Sequence, residues 1–162
     1  MVQIESSINF VSMSSTQRIK NSRAKYEYEF LESYTAGIQL EGTEIKSIRN
    51  GRASITEAYC VVSNDEVFVR NMTIQEYENA GFIEHEIRRD RKLLLNRSEI
   101  SKISKKLKNQ GLTLIPYVMF IDGNGRAKLD IKLSKGKKTH DKREDLKSKD
   151  AKREMDRRMK QF

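Results

Sequence analysis

The last 29 residues limit what this chain can fold into. Between Ser134 and Phe162 twelve Lys/Arg face six Asp/Glu, and only Leu146, Ala151, Met155, Met159 and Phe162 are apolar. Five apolar side chains cannot bury enough surface to offset the entropy of ordering such a segment. The core must therefore come from upstream. Residues 134–162 are expected to be a flexible basic tail, disordered when free, that orders against a large anion. They carry +6 of the formal net charge of +9. Nucleic acid fits that role, because cations that neutralise phosphates release condensed counterions.

With 162 residues there is room for one domain and a tail. Hydrophobic residues are 36% and charged residues 34%, so the core is small. A pI near 9.6 suits an anionic partner. No apolar run approaches the roughly 20 residues needed to span a bilayer, so the chain reads as soluble with no membrane partner. Cys60 stands alone, which excludes an internal disulfide and fits a reducing cytoplasm; it reads as a small buried hydrophobe on a strand. The N-terminus lacks a basic start, a continuous apolar block and a cleavage site, so it does not read as a secretion signal. Residues 1–20 are expected to be a disordered extension, with Met13 an alternative start.

Periodicity places the elements. Lys25–Ser33 alternates aromatic or apolar with charged residues and predicts a strand with one wet face. Gly37–Leu40 predicts a second short strand, and Glu44–Asn50, with Ile45 and Ile48 three apart before Gly51, a short helix. Ala58–Val69 predicts a hairpin turning at Ser63–Glu66, and Gln75–Gly81 a polar connection. Asn96 with Glu99 forms a capping box, and Leu95 with Ile100 a hydrophobic staple, at the start of a helix striped by Ile100, Ile103 and Leu107. Lys102, Lys105, Lys106 and Lys108 cover its other face.

Leu112–Ile121 is an apolar strand whose Pro116 implies an edge or a bulge. After the Asp122–Gly125 turn, Arg126–Leu133 alternates strictly, with Ala127, Leu129, Ile131 and Leu133 inward and Arg126, Lys128, Asp130 and Lys132 outward. About six antiparallel strands and two or three flanking helices predict a mainly β fold, a small closed barrel of the OB-like kind over residues 21–133.

For catalysis the chain offers little. Neither His85 nor His140 sits in a motif beside a nucleophile, no phosphate-cradling glycine loop has the required spacing, and no metal set forms around His85. The chain reads as a non-enzyme without cofactor. Arg88-Arg89-Asp90-Arg91-Lys92 reads either as a basic loop beside the buried Leu93–Leu95 anchor or as a phosphate clamp, and the clamp is preferred. Met155, Met159 and Phe162 recur on one face of a helix that would be marginal alone.

Several collinear segments carry a resemblance. Ala36-Gly37-Ile38, Gly42–Arg49 (GTEIKSIR), Arg91–Leu95 (RKLLL) and Gly136–Arg143 (GKKTHDKR) are similar to those of the small protein B family, the tmRNA-binding (SsrA-binding) proteins of trans-translation. The match runs from Asn21 into the tail. It implies an OB-type barrel that grips the tRNA-like domain of tmRNA, acting as a cytoplasmic monomer. It also implies a stalled ribosome and its ribosomal RNA as partners, with the tail helical in the empty mRNA channel near the decoding centre.

The RNA-binding set carried over or read from the surface is Asn21, Arg23, Lys25, Tyr26, Lys46, Arg49, Arg91, Lys92, Lys128 and Lys132. The ribosome-acting set is Lys135, Gly136, Lys137, Lys138, His140, Asp141, Lys142 and Arg143, with Gly136 as hinge. Tyr26 stands where the family often has His, Thr35 where it usually has Glu, Glu57-Ala58 for Asp-Ser, and Ile87 for Pro. A general single-strand nucleic-acid-binding barrel is the alternative, followed by a constitutive ribosome-associated protein.

Overall fold

The computed structural model describes residues 17–160. Its strands are β1 (Arg18–Lys20), β2 (Tyr28–Ile38), β3 (Ala53–Ser54), β4 (Tyr59–Ser63), β5 (Glu66–Arg70), β6 (Thr73–Ile74), β7 (Arg91–Leu94), β8 (Leu112–Ile121) and β9 (Ala127–Gly136). Its helices are α1 (Ala24–Glu27), α2 (Gly42–Arg49), α3 (Arg97–Leu107) and α4 (Thr139–Met159). All strand pairs are antiparallel. Strands β8, β4, β5, β7, β2 and β9 follow one another in the sheet, and β9 pairs back to β8, closing an OB-like barrel. Strand β1 adds to the outside of β8, and β3 pairs with β6 separately.

Alternation drives closure. Leu129, Ile131 and Leu133 of β9 are buried against Leu114 and Met119 of β8, Val67 and Val69 of β5, and Leu93 of β7. Each such aliphatic contributes roughly 1.5–3 kcal/mol by leaving water. Helices α2 and α3 cover the core with Ile48 and Ile103. The capping box predicted at Asn96 forms, with the Asn96 N–H donating to Glu99 Oε2 at 3.0 Å. The hairpin between β4 and β5 turns on Asn64 and Asp65 at φ +50° and +57°, the two-residue geometry whose twist matches the flanking strands.

The differences from the sequence reading are local. Lys25–Glu27 is not strand: Tyr26 and Glu27 N–H both donate to Arg23 O at 3.0 Å, making a helical turn, and β2 then runs unbroken through Gly37. The two short strands expected there are one. Gly37 is needed because a Cβ would stand 3.3 Å from Leu94 Cβ on neighbouring β7. Arg18–Lys20, expected in a disordered extension, pairs with Val118–Phe120. Met13 and Phe162 lie outside the described residues. Pro116 does mark a bulge: the register steps from Pro116↔Ile131 to Val118↔Asp130, leaving Tyr117 as the extra residue. A second bulge on β2 leaves Leu31 extra.

Candidate nucleic-acid interface

The two bulges flank β9 on either side and re-aim the side chains around them. Phe30 and Tyr117 meet edge to face with ring centroids 5.0 Å apart. Three ammonium groups converge on Tyr117: Lys20 and Lys132 at 5.4 Å from its centroid and Lys25 at 5.7 Å. Lys132 also reaches Phe30 at 6.0 Å and donates to Ser33 Oγ at 2.6 Å. Burial pushes the Tyr117 phenol up, but donation from Lys20 and Lys25 outweighs it and holds the group below its usual value.

None of Lys20, Lys25 and Lys132 forms an ion pair among the described residues. Three like charges gathered on an aromatic pair without a carboxylate form a surface suited to phosphate and a stacked base. Arg18 extends it along β1, over Phe120 at 5.8 Å.

Asn21 lies beside this surface and is buried. Its backbone N–H donates to Tyr117 O at 2.8 Å, its Nδ2 reaches Pro116 O and Thr56 O at 3.5 Å, and its Oδ1 has no partner. Arg23 is engaged by Glu27 and Glu57. Tyr26 lies under Lys142 of α4 at 5.9 Å. Lys128 faces outward on β9, two alternations before Lys132, opposite Gly37. Lys46 and Arg49 are on α2, Lys46 over the Tyr77 ring at 5.4 Å and Arg49 donating to Gly125 O at 3.2 Å. The structure thus groups Lys25 and Lys132, and Tyr26 beside them, while Lys46 and Arg49 lie on a separate element.

The phosphate clamp expected at Arg88–Lys92 is corrected by burial. Arg91 and Glu44 are both 0% exposed, joined at 2.8 Å. The five guanidinium N–H donors of Arg91 meet five acceptors: Glu44 Oε1 and the carbonyls of Met72, Arg89, Glu86 and Ile87. None is left for phosphate. Arg89 grips both oxygens of Glu44 at 2.9 and 2.6 Å. Burial raises the Glu44 carboxyl, yet Arg89, the Glu41 N–H and Arg91 together hold it below its ordinary value. Lys92 pairs with Glu66, so only Arg88 of the run has no ion pair among the described residues.

The other chemistry-bearing side chains are structural. His85 is buried with Nδ1 2.9 Å from Thr43 Oγ1 and Nε2 3.1 Å from Ile74 O. Cys60 is buried, which pushes its thiol up and leaves it inert. Among the described residues no His, Cys, Asp and Glu cluster could hold a metal ion.

Strand β9 runs on past Ser134 to Gly136, with Lys135 opposite Glu29 and Gly136 opposite Tyr28. The Lys137 N–H then donates to Glu27 O at 2.9 Å, and its ammonium to Lys25 O at 3.0 Å while pairing with Asp145. Lys138 stands at the N-cap position of α4 without a side-chain capping bond, and His140, Asp141 and Arg143 are exposed, His140 Nε2 lying 3.6 Å from Glu144. No residue of α4 is buried. Sequence reasoning missed Lys20, Phe30 and Tyr117; the available signal was Pro116, whose bulge turns the next residue outward.

A closed barrel that carries an aromatic platform ringed by unpaired lysines, joined to a cationic helical appendage, has the surface chemistry of a nucleic-acid-binding class of protein. The family model described as SmpB protein matches residues 18–161. The chain therefore belongs to the SmpB family. It is 51% identical over 150 residues to the SsrA-binding protein of Christiangramia forsetii, covering 93% of this chain and 96% of that one. It is 53% identical over 142 residues to the SsrA-binding protein of Phocaeicola vulgatus, covering 88% and 95%. A chain solved in "tmRNA-SmpB: a journey to the center of the bacterial ribosome" superposes with TM-score 0.65 at 37% identity, covering 76% of this chain and 86% of that one.

Proposed function

We propose that this protein is the tmRNA-binding adaptor of trans-translation. The barrel binds the tRNA-like domain of tmRNA through Lys25, Tyr26, Lys128 and Lys132, joined by Lys20 and Tyr117, with Asn21 held beneath them. Arg23, Arg49 and Lys92 add RNA contacts outside that cluster, while Lys46 is engaged over Tyr77 and Arg91 serves the fold by holding Glu44 and the Glu86–Ile87 backbone. The tail, from Lys135 and Gly136 through Lys137, Lys138, His140, Asp141, Lys142 and Arg143, acts afterwards on ribosomal RNA in the empty mRNA channel of a stalled ribosome. The protein works in the cytoplasm as a monomer with no cofactor, and no helix among the described residues is long and apolar enough to cross a membrane.

The observation that carries this reading is the uncompensated cluster of Lys20, Lys25 and Lys132 on Tyr117, in a chain of this family. The test separates the two parts. Truncation after Ser134 should leave tmRNA affinity within about threefold while abolishing peptide tagging on stalled ribosomes; equal loss of both would overturn the division. The bare aromatic pair also suits a general single-strand binder. Competition decides between them, because a general binder would lose tmRNA to an equal mass of unstructured RNA.

A further inference from the structure

We propose that the loop Gln75–Ile87 is a protein-docking tip whose partner is a Lys/Arg-rich protein surface with an apolar pocket for Phe82. Phe82 is 106% exposed and Ile83 is 69% exposed, side by side. Large apolar side chains standing free on a surface this charged mark an interaction site.

The loop is held in place. Its neck is closed by the Ile74 N–H donating to Ile87 O at 3.1 Å and the Gln75 N–H to Arg52 O at 2.9 Å. His85 is pinned between α2 and β6, and Arg52 pairs with Glu78 at 2.5 Å. Two of the buried Arg91 donors end on Glu86 O and Ile87 O. Within the loop Ala80 N–H donates to Tyr77 O at 3.0 Å and Ile83 N–H to Ala80 O at 3.3 Å, with Gly81 between them at φ +66°. A loop whose backbone is already ordered pays less of the ordering cost on binding, which leaves the exposed Phe82 ring free to settle into a partner's pocket as an anchor.

Charge selects the occupant. Gln75–Ile87 contains Glu76, Glu78, Glu84 and Glu86 and no lysine or arginine. Glu76, Glu84 and Glu86 are exposed and form no ion pair among the described residues. Of the nearby cations, Arg52 is turned onto Glu78 and Lys46 over Tyr77, which leaves Arg88, just past Ile87, as an exposed cation without an ion pair among the described residues against the three free glutamates. Phosphates approaching within the roughly 8 Å screening length would be repelled, whereas a basic protein surface is attracted. This face and the Tyr117 platform therefore take partners of opposite sign.

The test rests on the proposed function only in its probe, purified ribosomes supplied with and without tmRNA. Full-length protein carrying p-benzoylphenylalanine in place of Phe82 is irradiated in each mixture. The expected result is a crosslink to a protein peptide flanked by Lys or Arg, reduced at least fivefold by Glu76→Gln with Glu84→Gln. F82A should leave tmRNA affinity within twofold. A crosslink to RNA, no crosslink in either mixture, or a yield indifferent to the glutamine changes would overturn the proposal. Failure of the unaltered protein to bind tmRNA would instead overturn the functional reading, and the crosslink without tmRNA would still decide this one.

Discussion

The guanidinium of Arg91 and the carboxylate of Glu44 are both withdrawn from water, so each depends on the other. Removing one partner strands a buried charge, at a cost of about 3 kcal/mol or more. Glu44→Gln should therefore lower unfolding free energy by about 3 kcal/mol at neutral pH, measured by denaturant titration. The sign of its pH dependence follows from a carboxyl held below its ordinary value of 4.5. Its contribution is fully present above that value and is lost as pH falls below it through the folded-state pKa. The difference between wild type and E44Q should narrow over that acid window; a constant difference would contradict the assignment. At the platform, Tyr117→Ala should weaken binding of the tRNA-like domain by about 1–3 kcal/mol, the worth of one stacked base, while Y117F should bind within twofold of wild type. Arg91 shows why residue roles were only partly legible. A basic run reads the same in sequence whether its charges face solvent or, as here, a glutamate from a helix 47 positions earlier.

At the scale of elements, what could be read was whatever repeats locally. The alternation of β9, the Asn96 capping box and the Ser63–Glu66 turn each encode their own geometry, and the structure shows all three. What could not be read was set by distant partners. Strand β1 exists because β8 offers it an edge at Val118–Phe120, and the turn at α1 because the chain must leave β1 and enter β2. The same distinction governs α4. Among the described residues it holds 21 of the 44 α-helical ones, buries none of them, and lies against the barrel only over its first half, with Lys142 over Tyr26 and with Asp145, Ser148 and Lys149 lining a cleft with Tyr28 and Phe30. Ion pairs such as Arg158 with Glu154 at 2.8 Å contribute only a few tenths of a kcal/mol each. A helix so supported is marginal in water. Truncation after Ser134 should therefore remove well under half of the far-ultraviolet helical signal of the free protein. Loss of about half would show α4 stable by itself and would remove the need for a ribosomal partner to order it.

For the whole molecule, charge is divided unevenly. The tail's twelve cations and six acids leave residues 1–133 with 20 Lys/Arg against 17 Asp/Glu, a net of +3 from the total of +9. The barrel is nearly neutral and draws RNA through local clustering at Lys20, Lys25 and Lys132, while the tail attracts any polyanion through excess charge. The two contributions have different signatures in salt. Each phosphate that a variant no longer neutralises should reduce the slope of log affinity against log salt by about 0.7–0.9. Truncation after Ser134 should flatten that slope most for unstructured RNA, whose binding depends on the tail. K25Q with K132Q should flatten it for the tRNA-like domain by about 1.5, with affinity for unstructured RNA little changed. Discrimination between the two RNAs, measured by competition at one fixed salt concentration, should then rise in the truncated protein and fall in the double lysine variant. If both changes weakened both RNAs in the same proportion, the cationic surfaces would be acting as one, and the separation of barrel from tail would fail.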